Sequence, residues 1–334
     1  MLRRRFLEFA PAGAALWLGC SSPPASRELK PLRAAAYPRL SMSGLYLAKE
    51  SGYFEEEGFD VQIERFPDST HAIALLAGGE LDAAFVSPSP ALFNALARDA
   101  AIRIVAGREI ASPSCGTVGS VYGHRGSFPN GLADLSQLAG RSVAASRRMT
   151  ISEFYLDSLL ESVGLSSDDL NIVELPSPEA TAAIISGRID AMVSSYFDRD
   201  IESLSDKVVR GIGLADILPN FQYAHVLFGP TFLDAPVEQG ASFLTAYLRG
   251  ARAFRAGETP QFLYDFTKQM SLDPERARRA CRQTFDPNGR IDQASLERIG
   301  DWCFDKGYCE KRIEVANLID SRFIDATLAQ LGTS

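Results

Sequence analysis

An α/β chain of two doubly wound lobes is what this 334-residue sequence predicts. Three observations carry that prediction. Short apolar or alternating segments take turns with segments of helical period from residue 30 to about residue 220, the order expected of parallel strands with helices on both faces. One phrase is written twice: LLAGGELDAAFVSPSP at 75–90 and IISGRIDAMVSSYFDR at 184–199, with Asp82 and Asp190 in equivalent places. After residue 222 the character changes to a run of longer helices.

The elements follow in order. LRAAAY (32–37) is an apolar strand, and LYLAKESGYFEEEG (45–58) is a helix broken at Gly52 and ended at Gly58. FDVQIERF (59–66) alternates apolar and polar residues, the mark of a half-buried strand. PDST supplies turn and N-cap residues for the helix HAIALLAGG. LDAAFV, the helix ALFNALARD and the strand IRIVAGREI complete the first half. The second half repeats the order: DLSQLAG, a short helix; RSVAAS, a strand; ISEFYLDSLLESVG, an amphipathic helix; LNIVEL, a strand; ATAAIISG, a helix; IDAMVS, a strand; then the helix DRDIESLS and a strand containing VVRGIGL. QYAHVLFG is extended, and the helices FLDAPVEQGASFLTAYLRGARAFRAG, TPQFLYDFTKQM, DPERARRACRQTF, DQASLERIGDWCFDKG and SRFIDATLAQLG form a tail expected to pack on the first lobe. The implied organisation is 30–115 with 223–334 as lobe 1 and 116–222 as lobe 2, joined by two crossings. In the duplicated phrase, glycine ends a helix where φ > 0 is needed, the apolar strip is a buried strand, and the Ser/Tyr-rich end is the loop at that strand's carboxyl end. In open α/β sheets that end is where ligands bind.

Charged residues make up 23% of the chain and the net charge is −8, with no long run of one sign, so a nucleic-acid-binding stripe is excluded. Residues 1–19 are a targeting segment: Arg3, Arg4 and Arg5 precede an apolar stretch, Phe9 to Leu18, too short to span a bilayer. The run Arg3–Leu7 resembles a twin-arginine export signal. Leu16–Cys20 resembles a bacterial lipobox, with Trp17 where that motif usually has Leu, making Cys20 the candidate lipid attachment site at the head of a Pro/Ser-rich tether over 20–29. The expected location is the periplasm or the outer face of the cytoplasmic membrane. Of the other cysteines, Cys115, Cys281, Cys303 and Cys309, an oxidising compartment would allow disulfides, with the connectivity open; Cys303 and Cys309, flanking the turn-like FDKGY, are the first expected pair. None has metal-ligand spacing, so no metal site is expected, and nothing calls for a cofactor.

Helix N-termini facing strand ends expose unpaired N–H groups that attract anions or carbonyl oxygens. In lobe 1 this selects Ser41, Met42 and Ser43 after the first strand, Ser69 and Thr70 after the second, and Ser87 and Ser89 after the third. In lobe 2 it selects Arg147, Thr150 and Ser152, then Tyr196 and Asp198. Each hydroxyl could equally cap its helix. Arg147 and Arg148 suit an anionic ligand, whereas Asp198 suits an N–H donor or a cation, so the sequence leaves ligand charge open. Tyr196, Phe197 and Tyr155 could stack on a flat ring or fill lobe cores.

LYLAKESGYFEEEGFDVQI resembles the opening of periplasmic substrate-binding proteins of ABC importers, in the group that binds nitrate, sulfonates, taurine and thiamine-pyrimidine precursors. LLAGGELDAAFV, DLSQLAGRSVAAS, IISGRIDAMVS and the stretch from IDQASLERIGDWCFDKGY to LIDSRFIDATLAQLG resemble later stations of that family in the same order, over about residues 30–331. The resemblance implies a type II periplasmic-binding-protein-like fold, closure around a small organic or anionic solute by hinge motion, and delivery by a monomer to an ABC permease and its ATPase, with no enzymatic activity. Thiamine-pyrimidine synthases of fungi also resemble this start, but their CCCFC-type motif is missing here. His71, in the PDSTHA turn, is a first-turn helix residue or a base. A sensor subunit signalling through a membrane partner is the other alternative.

Overall fold

The computed structural model describes residues 28–332 except 38, 67–68, 116–117, 146–147, 195–205 and 270–273. The first half contains β1 (Lys30–Ala36), α1 (Ser43–Glu50), α2 (Tyr53–Glu56), β2 (Phe59–Arg65), α3 (Ser69–Ala77), β3 (Ala83–Val86), α4 (Pro90–Ala97) and β4 (Arg103–Ile110). Then come β5 (Ser120–His124), β6 (Ser142–Ala145), α5 (Ile151–Glu161), β7 (Asn171–Glu174), α6 (Ser177–Ile185), β8 (Ala191–Ser194), β9 (Val208–Arg210) and α7 (Leu214–Ile217). The remainder is β10 (Gln222–Phe228), α8 (Pro230–Leu233), α9 (Val237–Ala256), α10 (Gln261–Gln269), α11 (Glu275–Arg279), α12 (Gln293–Asp305) and α13 (Arg322–Gln330).

The strands form two five-stranded sheets, ordered β2-β1-β3-β10-β4 and β7-β6-β8-β5-β9. The two orders are the same pattern. In each, a β-α-β-α-β unit supplies three parallel strands, and the fourth position is a strand that arrives from the other sheet and runs antiparallel to both neighbours. The alternation predicts the parallel strands; it does not predict β10 and β5, whose direction is set by the side from which the chain crosses. The chain leaves the first sheet after Ile110, enters the second at Ser120 and returns at Gln222.

The tail packs on the first sheet. α9 crosses α1 so closely that a β-carbon at Gly44 would stand 2.9 Å from the Ala251 Cα, and one at Gly250 would strike the Gly44 carbonyl and the Ala48 backbone. Small residues at this crossing let the two backbones approach and fix where α1 begins. Around it Phe54, Phe85, Phe228, Phe243 and Tyr247 close the core. A second core spans both lobes: Phe154 and Tyr155 of α5 and Leu214 of α7 are buried with Leu92, Phe93, Tyr223 and Leu296.

One expected helix is shorter than its pattern. DPERARRACRQTF is helical only to Arg279; Ala280 turns extended. The chain then lies along β4, with Ile110 N–H donating to Thr284 O at 2.8 Å and Phe285 bridging Glu109. That excursion brings Cys281 to Cys115, and these two form the disulfide, with Cα atoms 5.7 Å apart across 166 residues of sequence. The expected pair is thereby corrected: Cys303 and Cys309 are free buried thiols. Their main chains meet through a Cys309 N–H to Cys303 O bond of 3.2 Å that closes the end of α12. Cys20 lies outside the described residues.

Candidate ligand site at the carboxyl edge of the first sheet

The duplicated phrase folds the same way twice. Gly79 and Gly187 both take left-handed φ, 73° and 69°, after α3 and α6. Asp82 donates its N–H to Arg33 O and accepts the Arg33 N–H on its carboxylate at 2.6 Å. Asp190 donates its N–H to Ser142 O and accepts the Ser142 N–H at 2.9 Å, and its carboxylate also takes the Ser142 and Ser127 hydroxyls. The repeated aspartate is therefore a clip that sets the register of the third strand against the first in each sheet. What each phrase delivers beyond that strand is a loop.

In the first sheet the loop after β3 meets an unusual strand end. Val86, His225 and Gly107 sit level across β3, β10 and β4. One step further out the β10–β4 register slips twice: His225 faces Gly107 but Ala224 faces Glu109, and Ala224 faces Glu109 but Gln222 faces Ile110. Arg108 and Tyr223 are the extra residues of these two bulges. A bulge re-aims side chains that a regular pleat would send to opposite faces. Here the Arg108 guanidinium Nη1 lies 3.0 Å from the Glu109 carboxylate although the residues are neighbours in sequence. The same nitrogen donates to Ser41 O at 2.8 Å and reaches Met42 Sδ at 3.9 Å, so Arg108 holds the loop that opens α1. Gly107 is required before it, because a β-carbon there would strike the Gln222 side chain and the Arg290 carbonyl.

This edge is polar and almost closed to solvent: Arg108 is 2% exposed, Glu109 4% and His225 0%. Burial pushes the Glu109 carboxyl up, against the pull of Arg108 and Arg39. Burial, reinforced by the Arg108 charge, pushes His225 down to about 3, so the imidazole is neutral. Both His225 ring nitrogens, Arg108 Nε and the Ser89 hydroxyl are buried and find no partner in the protein. Buried polar groups are costly unless satisfied by protein, water or a bound solute.

Lobe 2 closes over this edge through α5. Tyr155 is buried and meets Tyr223 edge-on with ring centroids 5.9 Å apart. Burial and then the Glu109 charge raise both phenols well above their ordinary value. Phe154 stacks on Phe221 at 5.2 Å and meets Trp302 edge-on. On the polar side of α5, Tyr308 Oη donates to Glu153 at 2.8 Å, Trp302 Nε1 donates to Asp157 at 2.8 Å, and Lys306 pairs with Asp157 at 2.9 Å.

The residues chosen from sequence fare unequally. Ser41 contributes its carbonyl and Met42 its buried sulfur, both to Arg108. The Ser43 hydroxyl donates to Leu40 O and serves its own turn. Ser89 is the N-cap of α4, yet makes no side-chain capping bond, and its hydroxyl is among the buried atoms without a partner; Ser87 beside it is half-buried. Ser69, half-buried, and Thr70, exposed, open α3 beyond β2, three strands and about 14 Å from β10. Thr150 and Ser152, both half-buried, stand at the start of α5; Thr150 makes no side-chain capping bond. Arg148 is committed to Tyr308 Oη at 3.3 Å. His71 is exposed in the first turn of α3. Arg147, Tyr196 and Asp198 lie outside the described residues, as does Phe197. Arg108, Glu109, Tyr223 and His225 were not selected from sequence. Their one signal is opposite charges ending an otherwise apolar strand, IVAGREI, and a histidine inside the apolar QYAHVLF. Among the described residues no cluster of His, Cys, Asp and Glu is placed to hold a metal ion.

Two like sheets with a strand exchanged between them, and a buried polar edge where they meet, define the periplasmic-binding-protein fold. Residues 40–258 match the family model described as NMT1/THI5 like, and the chain belongs to that family. It is 29% identical over 281 residues to the formylaminopyrimidine-binding protein of Halalkalibacterium halodurans, covering 80% of this chain and 82% of that one. In structure it is similar to the periplasmic aliphatic sulphonate binding protein SsuA from Escherichia coli, with a TM-score of 0.71 at 18% identity over 87% of this chain and 92% of the other. It is also similar to the desulfurization enzyme DSZB, with a TM-score of 0.63 at 14% identity over 90% of this chain and 99% of that one. The last two show the fold alone, and they show it carrying both binding and catalysis.

Proposed function

We propose that this protein is the extracytoplasmic solute-binding component of an ABC importer, and that it captures an aminopyrimidine-type solute between its lobes for delivery to a permease. One observation carries the reading. Ser89, Arg108 and His225 present buried donors and acceptors without protein partners at the sheet edge that α5 of the other lobe covers. A flat heterocycle with N–H and ring-nitrogen groups has the complementary chemistry, and Tyr155 and Tyr223 offer aromatic faces beside it. The formylaminopyrimidine-binding relative supports the same ligand class. The sulfonate-binding protein shares the fold at too low an identity to transfer its ligand. Among the described residues of this edge, the Ser89 hydroxyl and the His225 ring are not hydrogen-bonded to one another, and the binding-protein relative supports binding without turnover. The segment Arg3–Cys20 supports export and a lipid anchor at Cys20, which mass spectrometry of the mature N-terminus would read directly.

The test is calorimetry and thermal denaturation with a formylaminopyrimidine, 4-aminopyrimidine, nitrate and short alkanesulfonates. A ligand at 100 times its Kd should stabilise the protein by about 2.7 kcal/mol. Stabilisation by the pyrimidines alone is expected. A response to sulfonate or nitrate alone would reverse the ligand assignment, and consumption of a pyrimidine in the presence of pyridoxal phosphate would replace binding by catalysis.

A further inference from the structure

Resting on that reading, and going beyond it to what sets ligand charge, we propose that the adjacent pair Arg108 and Glu109 is the charge selector of the site. Glu109 is the specificity-determining acceptor that reads N–H groups and cancels the guanidinium beside it.

The case begins with where the pair sits. Two successive bulges on the β4–β10 ladder bring both side chains together at the carboxyl edge, and a regular ladder would have parted them. A buried ion pair is a weak device for stability, because desolvation offsets most of its attraction and apolar side chains of equal volume serve as well. The pair is also incompletely satisfied. Arg108 spends Nη1 on Ser41 O and Glu109, but its Nε has no partner. A group left under-satisfied at this depth is a poor structural element and a good recognition element.

The surroundings give the pair its selectivity. Glu109 is paired with Arg108 on its own strand at 3.0 Å, and its charge interacts with Arg39 ahead of α1, Tyr223 on β10 and Tyr155 on α5 of the other lobe. Arg39 is half-buried and lies over the Tyr37 ring at 4.1 Å, so its charge is partly solvated. Glu109 is therefore the carboxylate that neutralises the buried guanidinium where the two lobes meet. With it in place, an anion entering the edge meets a carboxylate beside Arg108, a cation that is 2% exposed. A neutral or protonated heterocycle meets an acceptor. Without it, Arg108 would form an anion site, since a guanidinium binds sulfonate or carboxylate well once its counter-charge is gone.

The experiment is the ratio of affinities for two probes, 4-aminopyrimidine and ethanesulfonate, measured by calorimetry on the full exported protein, its Glu109→Gln variant and its Arg108→Gln variant. Glu109→Gln should weaken the pyrimidine and tighten the sulfonate, moving the ratio at least tenfold. Arg108→Gln should move it the other way by a similar factor. Glu109→Asp, which keeps the charge, should hold the ratio on the wild-type side. Circular dichroism checks that each variant is folded, and Glu109→Gln alone suffices if Arg108→Gln is not. A ratio unchanged within twofold in Glu109→Gln overturns the proposal whatever the wild type prefers. A wild type that prefers sulfonate would sink the ligand reading above, and the shift on Glu109→Gln would still decide this one. If the wild type binds neither probe, sulfonate binding gained in Glu109→Gln supports the selector and its absence refutes it.

Discussion

Replacing Asp190 by alanine removes the clip that joins β8 to β6. The carboxylate takes three hydrogen bonds, from the Ser142 N–H at 2.9 Å, the Ser142 hydroxyl at 2.8 Å and the Ser127 hydroxyl at 2.6 Å, with Arg141 at 3.6 Å. Hydrogen bonds to a charged group contribute roughly 1.5–3 kcal/mol each, and an orphaned buried N–H costs about 1–3 kcal/mol. The Asp190 side chain is 26% exposed, so water re-enters and restores part of the loss. The expected destabilisation is about 2–4 kcal/mol. Asp82→Ala removes the single clip from Arg33 N–H in the other sheet and should cost about 1–3 kcal/mol. Because the two sites lie in different sheets, the double variant should be additive within about 0.5 kcal/mol. Urea unfolding of the two single variants and the double variant measures all three quantities. The pH dependence supplies a second arm. Desolvation of Asp190 is outweighed by the Ser127 and Ser142 hydrogen bonds and by Arg141, which hold its pKa below the ordinary value. Its contribution is therefore complete above the unfolded-state pKa near 4 and is lost as pH falls through the lower folded value. Losses below about 0.5 kcal/mol in both single variants would refute the idea that the repeated aspartate holds strand register.

Two further predictions concern His225 and the disulfide. The folded His225 has a pKa of about 3 against an ordinary 6.5. Below pH 6.5 the unfolded chain therefore binds a proton that the folded one refuses, and stability should fall by about 1.4 kcal/mol per pH unit, or about 2 kcal/mol by pH 5. Urea midpoints for wild type and His225→Leu at pH 7 and 5 isolate this slope, and parallel behaviour of the two would show that the imidazole titrates freely. The Cys115–Cys281 bond closes a loop of 166 residues, for which chain entropy predicts about 5 kcal/mol and usual experience about 2–4 kcal/mol. The double serine variant should lose stability in that range without added reductant, and a loss under about 1 kcal/mol would mean that the excursion past Ala280 is held by its main-chain bonds alone.

Much of the fold is local information. Alternation in FDVQIERF, the helical period of ISEFYLDSLLESVG and the helix-ending glycines at 79 and 187 each follow from steric and burial rules that act over a few residues. The doubled phrase carries more, because two copies in the same surroundings imply two like sheets. Sequence also pointed at the loops around Ser41–Ser43 and Ser87–Ser89, since strand ends and helix starts are locally marked. It missed the groups between those loops. Arg108 and Glu109 appear in sequence as the end of one more apolar strand, and only the two register slips against β10, a strand far away in sequence that arrives from the other sheet, turn them to the same place. His225 stands out only as a histidine inside an apolar run, and such a run does not say which strands will flank it. The disulfide failed for the same reason: the short FDKGY turn brings Cys303 and Cys309 near each other in sequence, but Cys115 meets Cys281 through a main-chain excursion onto β4 that no local pattern records. What the sequence determined by itself was the set of elements and their repetition, because those rest on short-range sterics and period. The tertiary structure decided which charges share a buried edge, because that depends on register between strands distant in the chain, and register is set only once both sheets are assembled.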